Sequence, residues 1–279
     1  MKTILIPLDF SETSANALKY ASNLLKALHV SRVILLKTFY KSIYEQLLPS
    51  ADFVQLSNED MLEERTEINQ QLKVLANELL SNCNPDLQIE TVLSERPLLR
   101  AVHDVIERQK PDLILYGSDS ANGHEESYIG EQVIAIAKTS PVPVLIIPSD
   151  VSYQKISRAL IPCDFAMTSR LNPVSSSGSP LRWWNPQLTI LNIDPRHSHL
   201  EHEAEHLSAL EDFLSGMEYK VSYSDDEDVV NGILSFADEQ DLQLIVALPG
   251  KYSFFRNLTH KSTTEAITLN AKHPILILK

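Results

Sequence analysis

An α/β fold, built from two doubly wound units in tandem, accounts best for this chain of 279 residues. Three observations carry that expectation. Short Val/Ile/Leu runs without polar alternation recur along the sequence, the pattern of parallel strands covered on both faces. Segments with helical apolar spacing lie between them. Four of the runs then repeat in the same order: ILIPLDF (4–10) as ALIPCDF (159–165), RVILLKTFY (32–40) as QLTILNIDP (187–195), PDLILYGS (111–118) as DLQLIVALPG (241–250), and SPVPVLIIP (140–148) as KHPILILK (272–279). A repeat of this kind marks duplication of a whole unit. The first unit is expected over 1–149 and the second over 155–279, joined by the short polar stretch SDVSYQ.

Each unit should read β-α-β-α-β-α-β-α-β, a doubly wound arrangement around a five-stranded parallel sheet. ILIPLDF is the first strand. Ser11 opens the first helix, whose Ala17, Ala21, Leu24 and Leu28 keep one apolar face. RVILLKT is the second strand. Residues 40–56, YKSIYEQLLPSADFVQL, form an irregular insertion that could cover a pocket mouth, with Tyr40 and Tyr44 placed to stack there. Ser57-Asn58-Glu59-Asp60 reads as a capping box, opening a helix with Met61, Ile68, Leu72, Leu75 and Leu79 inward. A further helix follows Arg96-Pro97, with Pro97 in its first turn. PDLILYGS is the fourth strand, and a helix is expected to begin near Gly130. In the second unit, AMTSRLNPVSSSGSPLRWWN carries Pro173, Gly178 and Pro180 where the first unit has a clean helix, so that helix should be shortened or replaced by a loop.

Composition narrows the function classes. Hydrophobic residues make up 43% and charged residues 22%, an ordinary globular balance. The formal charge of -13 argues against nucleic acid or an anionic membrane as partner, because phosphates reward clustered Lys and Arg. No run approaches the roughly 20 apolar residues of a membrane helix, and MKTILIPLDF is too short an apolar start for a secretory signal. Cys83 and Cys163 have no metal or redox spacing. A cytoplasmic location is the expectation.

Ligands in doubly wound sheets sit at the carboxyl ends of the strands, near the switch point. Here those ends are LDFS and YGSDSANG. The motifs around them resemble the universal stress protein family in its tandem form. ILIPLDFSETSANAL follows the family's opening strand, turn and helix, while PDLILYGS, the glycine turn and SPVPVLIIP follow its later elements. The resemblance covers nearly the whole chain. It implies a Rossmann-like fold of the adenine-nucleotide α-hydrolase type, with the last strands, 142–147 and 274–278, pairing antiparallel across an internal pseudo-two-fold axis. It also implies a stress-linked, non-enzymatic regulatory protein. Some members bind ATP or AMP, magnesium accompanying ATP only; others bind no nucleotide. A homodimer of such tandem chains is a further partner expectation.

Nucleotide-binding members carry G-x-x-G-x(9)-G-[ST]. In the first unit Gly117 and Gly130 fit the first and third glycines, Ser120 replaces the second, and Glu131 replaces the Ser/Thr. Gly123 also sits where many members have glycine. The resemblance assigns Asp9 to the adenine and ribose side, lined by Pro7 and Thr38, with Phe10, Tyr116 and Ser118 completing the candidate set. The plainer reading of Asp9 is a helix-start cap. In the second unit Pro162 and Asp164 repeat the base side. Ala247 replaces the first glycine, Gly250 fits the second, and Lys261 and Ser262 fall at the final pair. Neither unit keeps the full motif.

Charge further distinguishes the two loops. Glu131 at a helix N-terminus satisfies the dipole itself and competes with phosphate. Like charges about 4 Å apart repel by roughly 4 kcal/mol at an effective dielectric near 20. Weak or vestigial ATP or AMP binding in the first unit is therefore expected, and less in the second. The alternative is a nucleotide-independent scaffold acting through dimerisation or partner binding. HEAEH (202–206) matches the zinc-protease pattern H-E-x-x-H, but His202 and His206 lie opposite the apolar stripe of Leu200, Ala204, Leu207 and Leu214, so no structural metal or zinc hydrolase is expected. No signature of an adenylate-transferring enzyme is present. The acidic run 225–228 reads as a solvated turn before a helix, and Trp183-Trp184 as a core or contact element.

Overall fold

The computed structural model describes residues 2–40, 58–118, 128–163, 179–195, 208, 211, 214, 216–248 and 272–279. Within them the strands are β1 (Thr3–Leu8), β2 (Arg32–Thr38), β3 (Gln88–Ser94), β4 (Leu113–Ser118), β5 (Val144–Pro148), β6 (Arg158–Pro162), β7 (Gln187–Ile193), β8 (Tyr219–Ser224), β9 (Leu244–Ala247) and β10 (Ile275–Ile277). The helices are α1 (Glu12–Leu28), α2 (Asn58–Ser81), α3 (Leu98–Gln109), α4 (Tyr128–Thr139), α5 (Leu181–Trp184) and α6 (Val229–Glu239).

All ten strands join one sheet in the order β3-β2-β1-β4-β5-β10-β9-β6-β7-β8. The neighbours within β3-β2-β1-β4-β5 are all parallel, as are those within β8-β7-β6-β9-β10. The two series meet where β5 and β10 pair antiparallel, with Leu145 opposite Leu276. The polar-free runs explain this arrangement. Leu5, Ile34, Ile114 and Ile146 face one side, with α3 and α4 supplying Val102, Val105 and Ile136. Ile4, Val33, Leu113 and Leu145 face the other, against α1 and α2. A strand buried on both faces has no polar positions to alternate.

Local chemistry sets the helix ends. Ser11 is the N-cap of α1 and accepts from the Ser14 N–H at 3.2 Å; Ala17, Ala21, Leu24 and Leu28 are all buried beneath the helix, as their spacing predicts. His29 closes it in the left-handed region. Asp228 caps α6 by accepting from Val230 N and Asn231 N, which is the role expected of the acidic run.

Two expectations change in detail, those for Met61 and Pro97, while the helix expected near Gly130 is found there. Met61 is 37% exposed rather than inward, while Leu72 and Leu79 are buried. A helix of 24 residues is about 36 Å long at 1.5 Å per residue, longer than the roughly 23 Å of the 7-residue strand β3. Pro97 stands at the N-cap of α3, just before the helix, with an extended ψ of 144°. The fourth helix starts at Tyr128, two residues before Gly130.

The described part of the degenerate segment before β7 is a single short helix, α5, closed by Asn185 in the left-handed region. Leu181 is fully buried, and Trp183 and Trp184 pack on the same cluster. Lys2 Nζ lies 5.4 Å from the Trp183 ring centroid. The stretch after β5 is tied back to α1: Asn16 Nδ2 donates to the carbonyls of Pro148 (3.2 Å) and Val151 (3.1 Å), and Tyr153 meets Tyr20 edge-on at 5.2 Å.

Candidate functional site

The carboxyl ends of β1 and β4 lie side by side because β1 and β4 pair directly, and the chain leaves them toward opposite faces of the sheet. That is the switch point where a doubly wound sheet holds ligands. Pro7, Asp9, Tyr116 and Gly117 meet there with the first turn of α1. Thr38 ends β2, one strand away.

Asp9 is not the helix cap; Ser11 is. The Asp9 carboxylate caps the turn before it, its Oδ1 accepting from the Ser11 N–H at 2.9 Å and the Ser11 Oγ at 2.6 Å. The Ser14 hydroxyl donates to the Ser11 carbonyl at 3.0 Å. Phe10, between them, takes φ = 70°, a left-handed conformation that costs an L-residue roughly 1–2 kcal/mol. Strain of this kind persists only where the surroundings over-determine it. Burial pushes the Asp9 carboxyl up, but the hydrogen bonds from the Ser11 side chain and backbone, then Ser14 and the Lys37 charge, outweigh it and hold the group below the usual carboxylate value. Asp9 is thus an anion near neutral pH. Tyr116, buried on the other wall, has its hydroxyl held neutral by burial and by the Asp9 charge.

Gly117 is explained by packing. A Cβ there would stand 2.7 Å from the Thr13 carbonyl oxygen and 3.0 Å from Thr13 Cγ2. The first turn of α1 can cross β4 only because that side chain is missing, the role that a glycine in such turns plays for helix–strand contact. Ser118 is buried at the end of β4 and its carbonyl accepts from the Ser149 N–H at 2.9 Å.

The walls close tightly. Pro7, Asp9, Ser11, Thr13, Ser14, Tyr116 and Gly117 enclose only about 10 Å³, the room of a single water. A larger groove of about 690 Å³ lies on the α1–α2 side, lined by Leu8, Phe10, Ser14, Leu18, Gln71 and Leu75 among others.

Sequence reasoning missed Lys37. Its Nζ donates to the Asp9 carbonyl at 3.2 Å and lies 4.9 Å from the Phe10 ring centroid. Burial lowers its pKa, and the Asp9 charge partly restores it. The signal was available: one charge near the end of the apolar run RVILLKT.

In the second series Pro162 ends β6 and is buried. Cys163 follows it, and the Asn192 Nδ2 donates to its carbonyl at 3.0 Å. Ser120, Gly123, Asp164, Gly250, Lys261 and Ser262 lie outside the described residues, as do Tyr44 and the HEAEH stretch; of Gly130 and Glu131 only the backbone, in α4, is described. Among the described residues no group of three His, Cys, Asp or Glu could hold a metal ion, and no helix is long and apolar enough to cross a membrane.

Comparison with known proteins places this geometry. Three solved structures share the fold over most of their length. A universal stress protein from Archaeoglobus fulgidus is 17% identical, covers 99% of this chain and 98% of its own, and superposes with a TM-score of 0.71. A protein of unknown function from Pseudomonas aeruginosa is 12% identical over 100% of this chain and 92% of its own, with a TM-score of 0.55. The cytoplasmic domain of a prokaryotic cation chloride cotransporter is 11% identical over 99% and 94%, with a TM-score of 0.52. At such identities the likeness is one of fold. No curated protein sequence matches the chain. The sequence profile described as "Universal stress protein family" matches residues 1–148, more than half the chain, and takes in the Asp9 turn, Tyr116 and Gly117: the chain belongs to the universal stress protein family.

Proposed function

We propose that this chain is a non-enzymatic regulatory protein whose first unit, residues 1–149, takes an adenine nucleotide, ATP or AMP, weakly at the ends of β1, β2 and β4. The observation that carries the reading is Asp9. An ionised carboxylate is held by Ser11 at the switch point, beside Gly117 and within one strand of Thr38. A carboxylate there can accept from ribose hydroxyls or an adenine amino group. The gap between the strand ends admits only a water, so the nucleotide would lie across those ends rather than between them. Magnesium would enter with ATP alone, to offset phosphate charge beside carboxylates. The second unit, 155–279, contributes less, since its described strand ends present Cys163 and Asn192 in place of Leu8 and Lys37.

Isothermal titration of the full chain with AMP and with ATP–magnesium tests the proposal. Dissociation constants between about 10 μM and 1 mM are expected, corresponding to roughly 4–7 kcal/mol. Absence of heat and of any thermal shift at millimolar ligand overturns it. The narrow gap favours a second reading, a nucleotide-independent scaffold that works through its surface or by dimerising; purified protein carrying no adenine nucleotide and binding none would establish that reading instead. Two free cysteines support a cytoplasmic setting.

A further inference from the structure

Lys37 stands at an awkward place for a lysine. It follows four buried residues of β2 and lies directly across from Leu8. Burial opposes its charge, so a neutral donor would be held there at less cost. The second series shows what such a donor looks like. Pro7 pairs with Leu36 and Pro162 with Leu191; the next residues are Lys37 and Asn192. Asn192 binds a strand-end carbonyl as Lys37 does, but reaches only to Cys163, one residue short of the aspartate. Tying the strand end together therefore needs no cation. What Lys37 adds is reach and charge. It grips the Asp9 carbonyl itself, and it places an ammonium over the Phe10 ring, a contact worth roughly 0.5–1 kcal/mol or more where partly desolvated. Phe10, the residue of that turn with positive φ, directly follows Asp9.

We infer that Lys37 is a positioning residue of the nucleotide site: by holding the Asp9 carbonyl and the Phe10 ring, it fixes the turn that aims the Asp9 carboxylate. Lys37 itself does not contact the ligand. The inference rests on the nucleotide reading above, and its test separates the two. Among the described residues, the groups facing the Asp9 carboxylate are Ser11, Ser14, Lys37 and the neutral Tyr116.

The full chain, as wild type, Lys37→Met, Lys37→Gln and Lys37→Arg, is followed by carbon NMR titration of the Asp9 carboxyl and by calorimetric titration with AMP. Lys37→Met is expected to raise the Asp9 midpoint and to weaken AMP about threefold or more. Lys37→Arg is expected to restore both, because it keeps donor, charge and ring contact. Should Lys37→Met fail to fold, Lys37→Gln, a neutral donor of the kind Asn192 provides, replaces it with the same expected direction. An Asp9 midpoint that does not move overturns the inference, as does weakened AMP binding with the midpoint unchanged, which would make Lys37 a direct contact. If wild type binds no AMP, the nucleotide reading falls, and the Phe10 HN–Hα coupling, which reports the left-handed φ of the turn and not the charge beside Asp9, decides whether Lys37 holds the turn: a coupling unchanged in Lys37→Met and Lys37→Gln overturns the inference.

Discussion

Gly117 leaves no room for a methyl group. The nearest obstacle, the Thr13 carbonyl oxygen at 2.7 Å, belongs to a helix backbone and cannot rotate away as a side-chain tip would. Gly117→Ala should therefore shift α1 off the sheet and cost about 1–3 kcal/mol, measured as a lower urea midpoint with an unchanged slope. A substitution that left stability untouched would return the glycine to a purely ligand-directed role. Residues of this kind were partly legible in the sequence. Gly117 and Asp9 stood out by motif, but motif alone could not say that the glycine serves α1, nor that Asp9 caps Ser11 instead of the helix. The first depends on a contact between segments about 100 residues apart in the chain, the second on the local backbone of the turn, where Asp9 and Ser11 are two residues apart. Lys37 was visible only as an exception in an apolar run, and its meaning depends on the Phe10 backbone, whose positive φ no residue type there announces.

At the level of elements, the helices and strands of the first unit follow closely from apolar spacing, because each buried face repeats a period the sequence shows directly. The ends were harder to read. Met61 and Pro97 depended on where β3 stops and where α3 begins to pack. The segment before β7 was readable as a broken helix from its prolines and glycine; that Leu181 would be fully buried and the tryptophans packed on the core was a packing outcome. Asn16 was also silent in sequence, a polar residue between Ala15 and Ala17. Its amide joins α1 to the carbonyls of Pro148 and Val151, in the turn after β5. Asn16→Ala should lower stability by about 1–2 kcal/mol, and amide exchange should quicken first around Val151, whose N–H bonds the Pro148 carbonyl. Uniform quickening across α1 would mean that the helix, and not the turn, depends on Asn16.

Across the whole molecule, a lysine links the second series to the first. Lys279, just after β10, donates to the Ala137 carbonyl in the last turn of α4. A cation suits a helix C-terminus; although the residue as a whole is exposed, partial burial of its amine against that helix end lowers it to about 8. The sign follows from proton counting: between about pH 8 and the unfolded value near 10.5, the unfolded chain binds more protons, so this group's contribution to stability rises with pH across that window. Below it, both states are protonated and the burial cost is constant. Compared with Lys279→Met, the wild type should gain stability between pH 8 and 10, measured by urea unfolding; parallel curves would show that the amine is solvated. None of this was legible in HPILILK, where the final residue reads as a surface lysine. The repeat made two units legible, and the antiparallel join of the last strands was implied by the family resemblance alone.

The antiparallel join between β5 and β10 has one more consequence. Because both strands lie on one chain, their meeting is a unimolecular event governed by an effective concentration set by the connecting polypeptide. Diluting the protein weakens the contact between separate subunits but leaves this one unchanged. Among the described residues, the outermost strands, β3 and β8, are thereby carried to opposite ends of a single ribbon, and the seam at its centre stays closed however scarce the protein becomes.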